Sequence, residues 1–413
     1  MAWFSTRVVL AVLLLAAAGC GGPVPRRDAP LRDPVILISI DGFRADYLDR
    51  GLTPTLTALA ADGVRADAMK PSFPTLTFPN HYTLVTGLYP DHHGIVNNRM
   101  IDPATGHTFV YKDADSIADP AWWGGEPLWV SVEKQGRHAA TMFWPGSDVA
   151  IDGVRPSLWM PFDGKLTPDQ RVDQLLRWTD LGGTARPSFY TLYLEQVDHA
   201  GHDDGPDSAD VDAAMRDIDA SLARLVNGLK TRGLFDRTNI VIVSDHGMTS
   251  TAPDRQIFLD DLVDLDAAGF VTGGILAGMN PKSAQAAAVE HAILAPHEHM
   301  QCWRKSAVPA RLHYGTNPRV PAVLCLADDG WIITTHEDAA KRKHVSLGEH
   351  GYDNDDPKMR ALFVAHGPAF KSGLRVPEFD NVDVYPLLAH LLAIRPAAND
   401  GHFDDVREML RGR

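Results

Sequence analysis

Thr77 lies inside residues 74–98, PTLTFPNHYTLVTGLYPDHHGIVNN, and four other short stretches gather carboxylates and imidazoles. These are Asp41 in a DG pair, Asp198 and His202 in DHAGH, Asp245 and His246 in SDHGM, and His350 in GEHG. A free threonine hydroxyl is a poor nucleophile, and it becomes effective when held on a rigid turn beside something that strips its proton. A bound cation does this. Imidazole with carboxylate and without thiolate is a donor set typical of zinc. Asp198 and His202 are four apart, so one helical turn or a compact loop aims both at one ion. Asp245 and His246 are neighbours, which an extended strand would oppose and a strand-to-loop bend brings together. Taken singly, each signal also has a bland reading, because an aspartate after a strand is often a turn or cap residue.

The elements that must position these groups are legible as alternating strands and helices. Residues 34–40, PVILISI, form a continuous apolar run that suits a central strand covered on both faces, and Asp41 stands at its carboxyl end. Residues 188–195 and 239–244 are further strands, delivering Asp198 and Asp245 in the same way. Strands are also expected at 137–144 and 361–365. Helices are expected at 52–62, 169–181 and 384–392. Val211, Met215, Ile218, Leu222, Leu225 and Leu229 recur at alternating four and three, a helix ended by Gly233. Another helix opens near Phe78, Pro79 and Asn80, since proline is accepted in a first turn. Thr77 then sits at a helix N-terminus, whose partial positive charge favours an alkoxide and an incoming phosphate. The pattern predicts an α/β fold with a mainly parallel, doubly wound sheet. The less regular stretch 257–331 reads as an inserted smaller subdomain.

The chain has 413 residues and a formal net charge of −14, which argues against a groove that binds nucleic acid by neutralising its backbone. Attraction for an anionic substrate must be local, and bound divalent cations supply it. No linker, charge block or repeat divides residues 34–413, which read as one domain with an insertion. Residues 1–20 carry one arginine and a short apolar run, the pattern of a bacterial export signal. Ala17, Ala18 and Gly19 before Cys20 resemble a lipoprotein cleavage box, which makes Cys20 the lipid-modified residue; ordinary signal cleavage is the alternative. Residues 21–33 then form a tether. The expected location is the periplasmic side of a bacterial envelope. Cys302 and Cys325 remain, and in an exported protein two leftover cysteines pair, stabilising by about 3 kcal/mol on the chain-entropy model. Two buried free thiols are the other possibility.

Thr77-Phe78-Pro79-Asn80-His81 with TGLYP, Asp41 in SIDGFR, DHAGH, SDHGM and GEHGYD together resemble the nucleotide pyrophosphatase/phosphodiesterase family of the alkaline phosphatase superfamily. The likeness runs in order from about residue 35 to 392. It implies an alkaline-phosphatase-like α/β fold and two zinc ions. One zinc would be held by Asp198, His202 and His350, the other by Asp41, Asp245, His246 and the Thr77 oxygen. Two such ions about 4 Å apart clamp attacking and leaving oxygens in an in-line displacement.

The resemblance also implies that Asn98 donates its amide to a phosphate oxygen. Phe78, Phe162 and Tyr193 would embrace a nucleobase. The alternative for Phe162 and Tyr193 is ordinary core packing. His81, His92, His93 and His199 are expected to be structural. Three aspartates and a threonine alkoxide balance the charge of two zinc ions, so the site suits a phosphodiester monoanion. Arg44 is the nearest cation in sequence, read either as a phosphate contact or as a structural ion pair. The expected activity is hydrolysis of nucleoside triphosphates and related diesters to nucleoside 5′-monophosphates through a covalent nucleotidyl-threonine. The competing readings are a lipid or choline phosphodiesterase of the same family, a phosphomonoesterase, and a zinc-binding lipoprotein without activity.

Overall fold

The computed structural model describes residues 33–341 and 344–412. The stretch read as signal and tether, Cys20 included, lies outside the described residues apart from its last position. An eight-stranded sheet forms the centre. In chain order its strands are β1 (Val35–Ile40), β2 (Val64–Ala66), β3 (Ala139–Met142), β4 (Leu158–Met160), β5 (Phe189–Leu194), β6 (Asn239–Val243), β7 (Phe363–His366) and β8 (Leu374–Val376). Across the sheet they run β8-β2-β7-β6-β1-β5-β3-β4. All neighbours are parallel except β7, which is antiparallel to both β6 and β2.

Strand β1 shows why the sheet is buried on both faces. Its side chains alternate, so Val35 and Leu37 enter one apolar core while Ile36, Ile38 and Ile40 enter the other. The second core is closed by α1 (Pro54–Ala61), α3 (Pro168–Thr179) and α5 (Ala209–Thr231), through residues such as Leu56, Leu175 and Leu222. The first is closed by α2 (Thr77–Thr86) and α6 (Val384–Leu392), through Tyr82, Val85, Leu387 and Leu388. Between α3 and α5 in sequence lies α4 (Gln196–Asp204). Helix starts follow local chemistry. Ser208 accepts the Val211 N–H at the start of α5, and Thr167 with Gln170 makes a reciprocal cap on α3, with proline next in line.

The region read as an insertion contains a four-stranded antiparallel sheet of Phe270–Thr272, Leu276–Met279, Val323–Ala327 and Met300–Arg304. Cys302 lies directly opposite Cys325 and is disulfide-bonded to it. Gln256–Phe258 pairs in parallel with Ile332–Thr334, which pins the two ends of the insertion together. Among the described residues no helix is long and apolar enough to cross a membrane.

Candidate active site

Strands β6, β1 and β5 lie side by side and in register, with Val35 opposite both Phe189 and Asn239. Their carboxyl ends therefore coincide. Asp41 follows β1, Asp245 and His246 follow β6, and Asp198 stands in the first turn of α4, just after β5. His202 lies one turn further along the same helix. His350 arrives from the far side, after Gly348–Glu349 pairs with Thr249–Ser250. Gly42 makes the junction possible: its φ is +68°, and a Cβ there would meet the Asp198 Cα at 2.9 Å.

Two clusters result, Asp41 with Asp245 and His246, and Asp198 with His202 and His350. Within each, the ligand-type atoms all lie within 4.8 Å of one another. In the first, His246 Nε2 is 2.9 Å from Asp245 Oδ2 and 3.4 Å from Asp41 Oδ1. In the second, Asp198 Oδ1 is 3.5 Å from His202 Nε2 and 3.6 Å from His350 Nε2. The rings of His246 and His350 stack at 3.5 Å, so the clusters share a wall. Thr77 opens α2, and its Oγ1 lies 3.3 Å from His246 Nε2.

Whether these groups suit cations is decided by what they lack and by how they are held. Asp41 Oδ1, Asp198 Oδ1 and Asp245 Oδ2 are buried without any hydrogen-bond partner, although buried acceptors are normally satisfied. Each imidazole donates Nδ1–H to a backbone carbonyl: His202 to Gly348 at 2.7 Å, His246 to Gly247 at 2.9 Å, His350 to Thr75 at 2.9 Å. In the neutral imidazole that fixes the tautomer and leaves Nε2 with a lone pair able to ligate a cation in its cluster. Burial, then repulsion from Asp245 and Asp198, pushes the Asp41 carboxyl well above the usual range. Burial, then the nearby His246 and His202, holds the His350 imidazole well below its ordinary value. Burial opposes ionisation of Asp245 too, but His246 and His81 outweigh it and hold that carboxyl low. Divalent cations fit both donor sets.

The remaining residues singled out by sequence divide clearly. Asn98 Oδ1 accepts the Phe78 N–H at 3.2 Å, a donor of the first turn of α2 that has no partner within the helix. Asn97 instead caps its own loop at Arg99 N. Phe162 is 59% exposed and lies 6.2 Å from the Tyr193 ring. Phe78 is half-buried and packs edge-on against Phe109 and Tyr111. Arg44 is engaged by Asp46, with Nη2 to Oδ2 at 2.7 Å, which is the structural ion pair.

His81 does more than fill space. Its Nδ1 lies 2.9 Å from the Thr77 carbonyl and 3.2 Å from Asp245 Oδ2, so it ties the backbone of Thr77 to a residue of the first cluster. His92 contacts Asp400, and His93 is held neutral by burial, at about 3, beside Thr83. Neither belongs to a cluster, and His199 belongs to none. Sequence reading missed the second role of Tyr193, whose hydroxyl donates to Asp41 Oδ2 at 2.6 Å. It also missed the carbonyls of Thr75, Gly247 and Gly348, which no side-chain pattern announces.

Comparison with known proteins bears on this arrangement. Residues 35–353 match the family model described as type I phosphodiesterase/nucleotide pyrophosphatase. The chain belongs to that family. An uncharacterized pyrophosphatase/phosphodiesterase of Schizosaccharomyces pombe is 37% identical over 95% of this chain and 84% of its own length. Ectonucleotide pyrophosphatase/phosphodiesterase family member 3 of Bos taurus is 38% identical over 92% of this chain, which spans only 44% of that relative. Among solved structures, murine ectonucleotide pyrophosphatase/phosphodiesterase 5, an inactive threonine-to-alanine variant in complex with AMP, superposes with a TM-score of 0.87 at 33% identity. The match covers 92% of this chain and all of that one. The fold is accordingly the alkaline-phosphatase-like α/β fold of this family, with its carboxyl-edge clusters formed from the chain's own residues.

Proposed function

We propose that this protein is a zinc-dependent nucleotide pyrophosphatase/phosphodiesterase that hydrolyses nucleoside triphosphates and related diesters to nucleoside 5′-monophosphates through a nucleotidyl-threonine at Thr77. One observation carries the reading: Thr77 opens a helix with its hydroxyl 3.3 Å from His246, a member of one of two adjoining clusters whose buried carboxylate oxygens lack partners. The murine neighbour that holds AMP supports a nucleotide product.

Asp41, Asp245, His246 and Thr77 would hold one zinc ion, and Asp198, His202 and His350 the other. Bound zinc supplies Lewis acidity, lowering the proton affinity of adjoining hydroxyls and offsetting charge that develops on the phosphoryl group. The chain's own residues do the rest. His81 fixes the Thr77 backbone, and the N-terminus of α2 favours negative charge at Thr77. Asn98, its oxygen occupied by Phe78 N–H, presents its NH2 to a phosphate oxygen as an oxyanion donor. Phe78, Phe162 and Tyr193 offer aromatic faces to a nucleobase, worth on the order of 1 to 3 kcal/mol per stack with little dependence on base identity. Residues 1–20 act as a lipoprotein-type export signal on this reading, placing residues 34–413 at the periplasmic side of a bacterial envelope by way of Cys20.

Thr77→Ala tests the mechanism. It should lower kcat by about a thousandfold or more on an aryl ester of a nucleoside 5′-monophosphate, while zinc still binds. Turnover at the wild-type rate would remove Thr77 from the chemistry. A glycerophosphocholine-type ester assayed in parallel separates the nucleotide reading from a lipid-headgroup one.

A further inference from the structure

Phe162 is a large aromatic left 59% exposed, so burial does not hold it in place. What stands behind it is Arg171, whose side chain is wholly buried. The Arg171 guanidinium reaches from α3 and donates Nε–H to the Leu166 carbonyl at 2.9 Å and Nη1–H to the Tyr193 carbonyl at 2.9 Å. It also grips the buried Glu195 carboxylate, with Nη2 to Oε1 at 2.6 Å and Nη1 to Oε2. Its Cζ lies 4.9 Å from the centre of the Phe143 ring and 5.9 Å from that of the Phe162 ring, and those two rings meet edge-on at 5.2 Å.

A buried ion pair is a poor device for stability alone, since two apolar residues of similar volume serve as well or better. What this one adds is geometry. The planar fork joins the loop that carries Phe162 and Leu166 to the strand end that carries Tyr193, and its cation lies behind the Phe162 ring. We propose that Arg171 is a positioning residue for nucleotide binding: with Glu195 it sets the loop on which Phe162 meets the nucleobase, and so governs affinity for nucleotides rather than the chemical step. The inference rests on the nucleobase role given above to Phe162.

Arg171→Lys keeps the charge opposite Glu195 and loses both the fork and the plane. In the zinc-loaded full chain it should raise KM for the nucleoside 5′-monophosphate aryl ester about 3- to 10-fold, the scale of one lost aromatic contact. Its kcat/KM on an aryl phosphodiester without a nucleobase should stay within about twofold of wild type, a comparison that general loosening of the fold would not survive. Added to Phe162→Ala, it should change nothing further. Should Arg171→Lys not fold, Arg171→Met with Glu195→Met leaves no unpaired charge and carries the same comparison. Equal losses on both esters, or an unchanged nucleotide KM, would overturn the assignment. If Phe162→Ala raises the nucleotide KM and Arg171→Lys does not, the nucleobase reading stands and Arg171 is dismissed. If Phe162→Ala has no effect, the nucleobase reading fails first, and the role of Arg171 fails with it.

Discussion

The hydroxyl of Tyr193 is spent inside the protein, on Asp41 Oδ2 at 2.6 Å, while its ring faces His81 and Phe162. A residue expected to serve a substrate therefore also orients a member of the first cluster. Partners of this kind are worth roughly 10- to 100-fold in metal affinity. Tyr193→Phe keeps the ring and should weaken divalent-metal binding by about that factor in a chelator competition, with a smaller change in nucleotide KM. Unaltered metal affinity would reduce the bond to packing. The two asparagines at 97 and 98 teach a related lesson. Sequence alone reads both as turn residues, and only the Phe78 N–H accepted by Asn98 separates them.

At the scale of elements, long periodic segments were easy to read and short edge strands were not. The helix inferred from the spacing between Val211 and Leu229 lies within α5, because its apolar stripe is long enough to fix the period. Strands β2, β4 and β8 have three residues each, too few for any alternation to show. Nor does the apolar run at 361–365 reveal that β7 runs antiparallel, since strand direction is set by its neighbours. Five of the six cluster residues were legible because they follow the buried strands β1, β5 and β6, whereas His350 comes from a separate short pairing. The Arg171–Glu195 pair was not, because an arginine on an amphipathic helix reads as solvated. Caps are the simplest test of element-level reasoning. Ser208→Ala removes the side-chain acceptor for Val211 N and should cost about 1 kcal/mol, read as a lower denaturant midpoint with kcat/KM unchanged.

For the whole molecule, the carboxyl edge gathers buried carboxylate oxygens that lack hydrogen-bond partners, in a chain already at −14. Cations that bind only the folded state should therefore add substantially to stability, about 2.7 kcal/mol per site at a free concentration one hundred times Kd. Stripping divalent metal with a chelator should lower Tm and its return should restore it, in wild type and in Thr77→Ala alike. A Tm indifferent to chelator would mean that the clusters tolerate their unpaired oxygens without a cation. The stacked imidazoles of His246 and His350 carry this further. Because one aromatic partition stands between the two donor sets, a change at either ring reaches both pockets. His350→Ala should therefore weaken metal retention at the neighbouring pocket as well as its own, read as loss of more than one equivalent in a chelator titration.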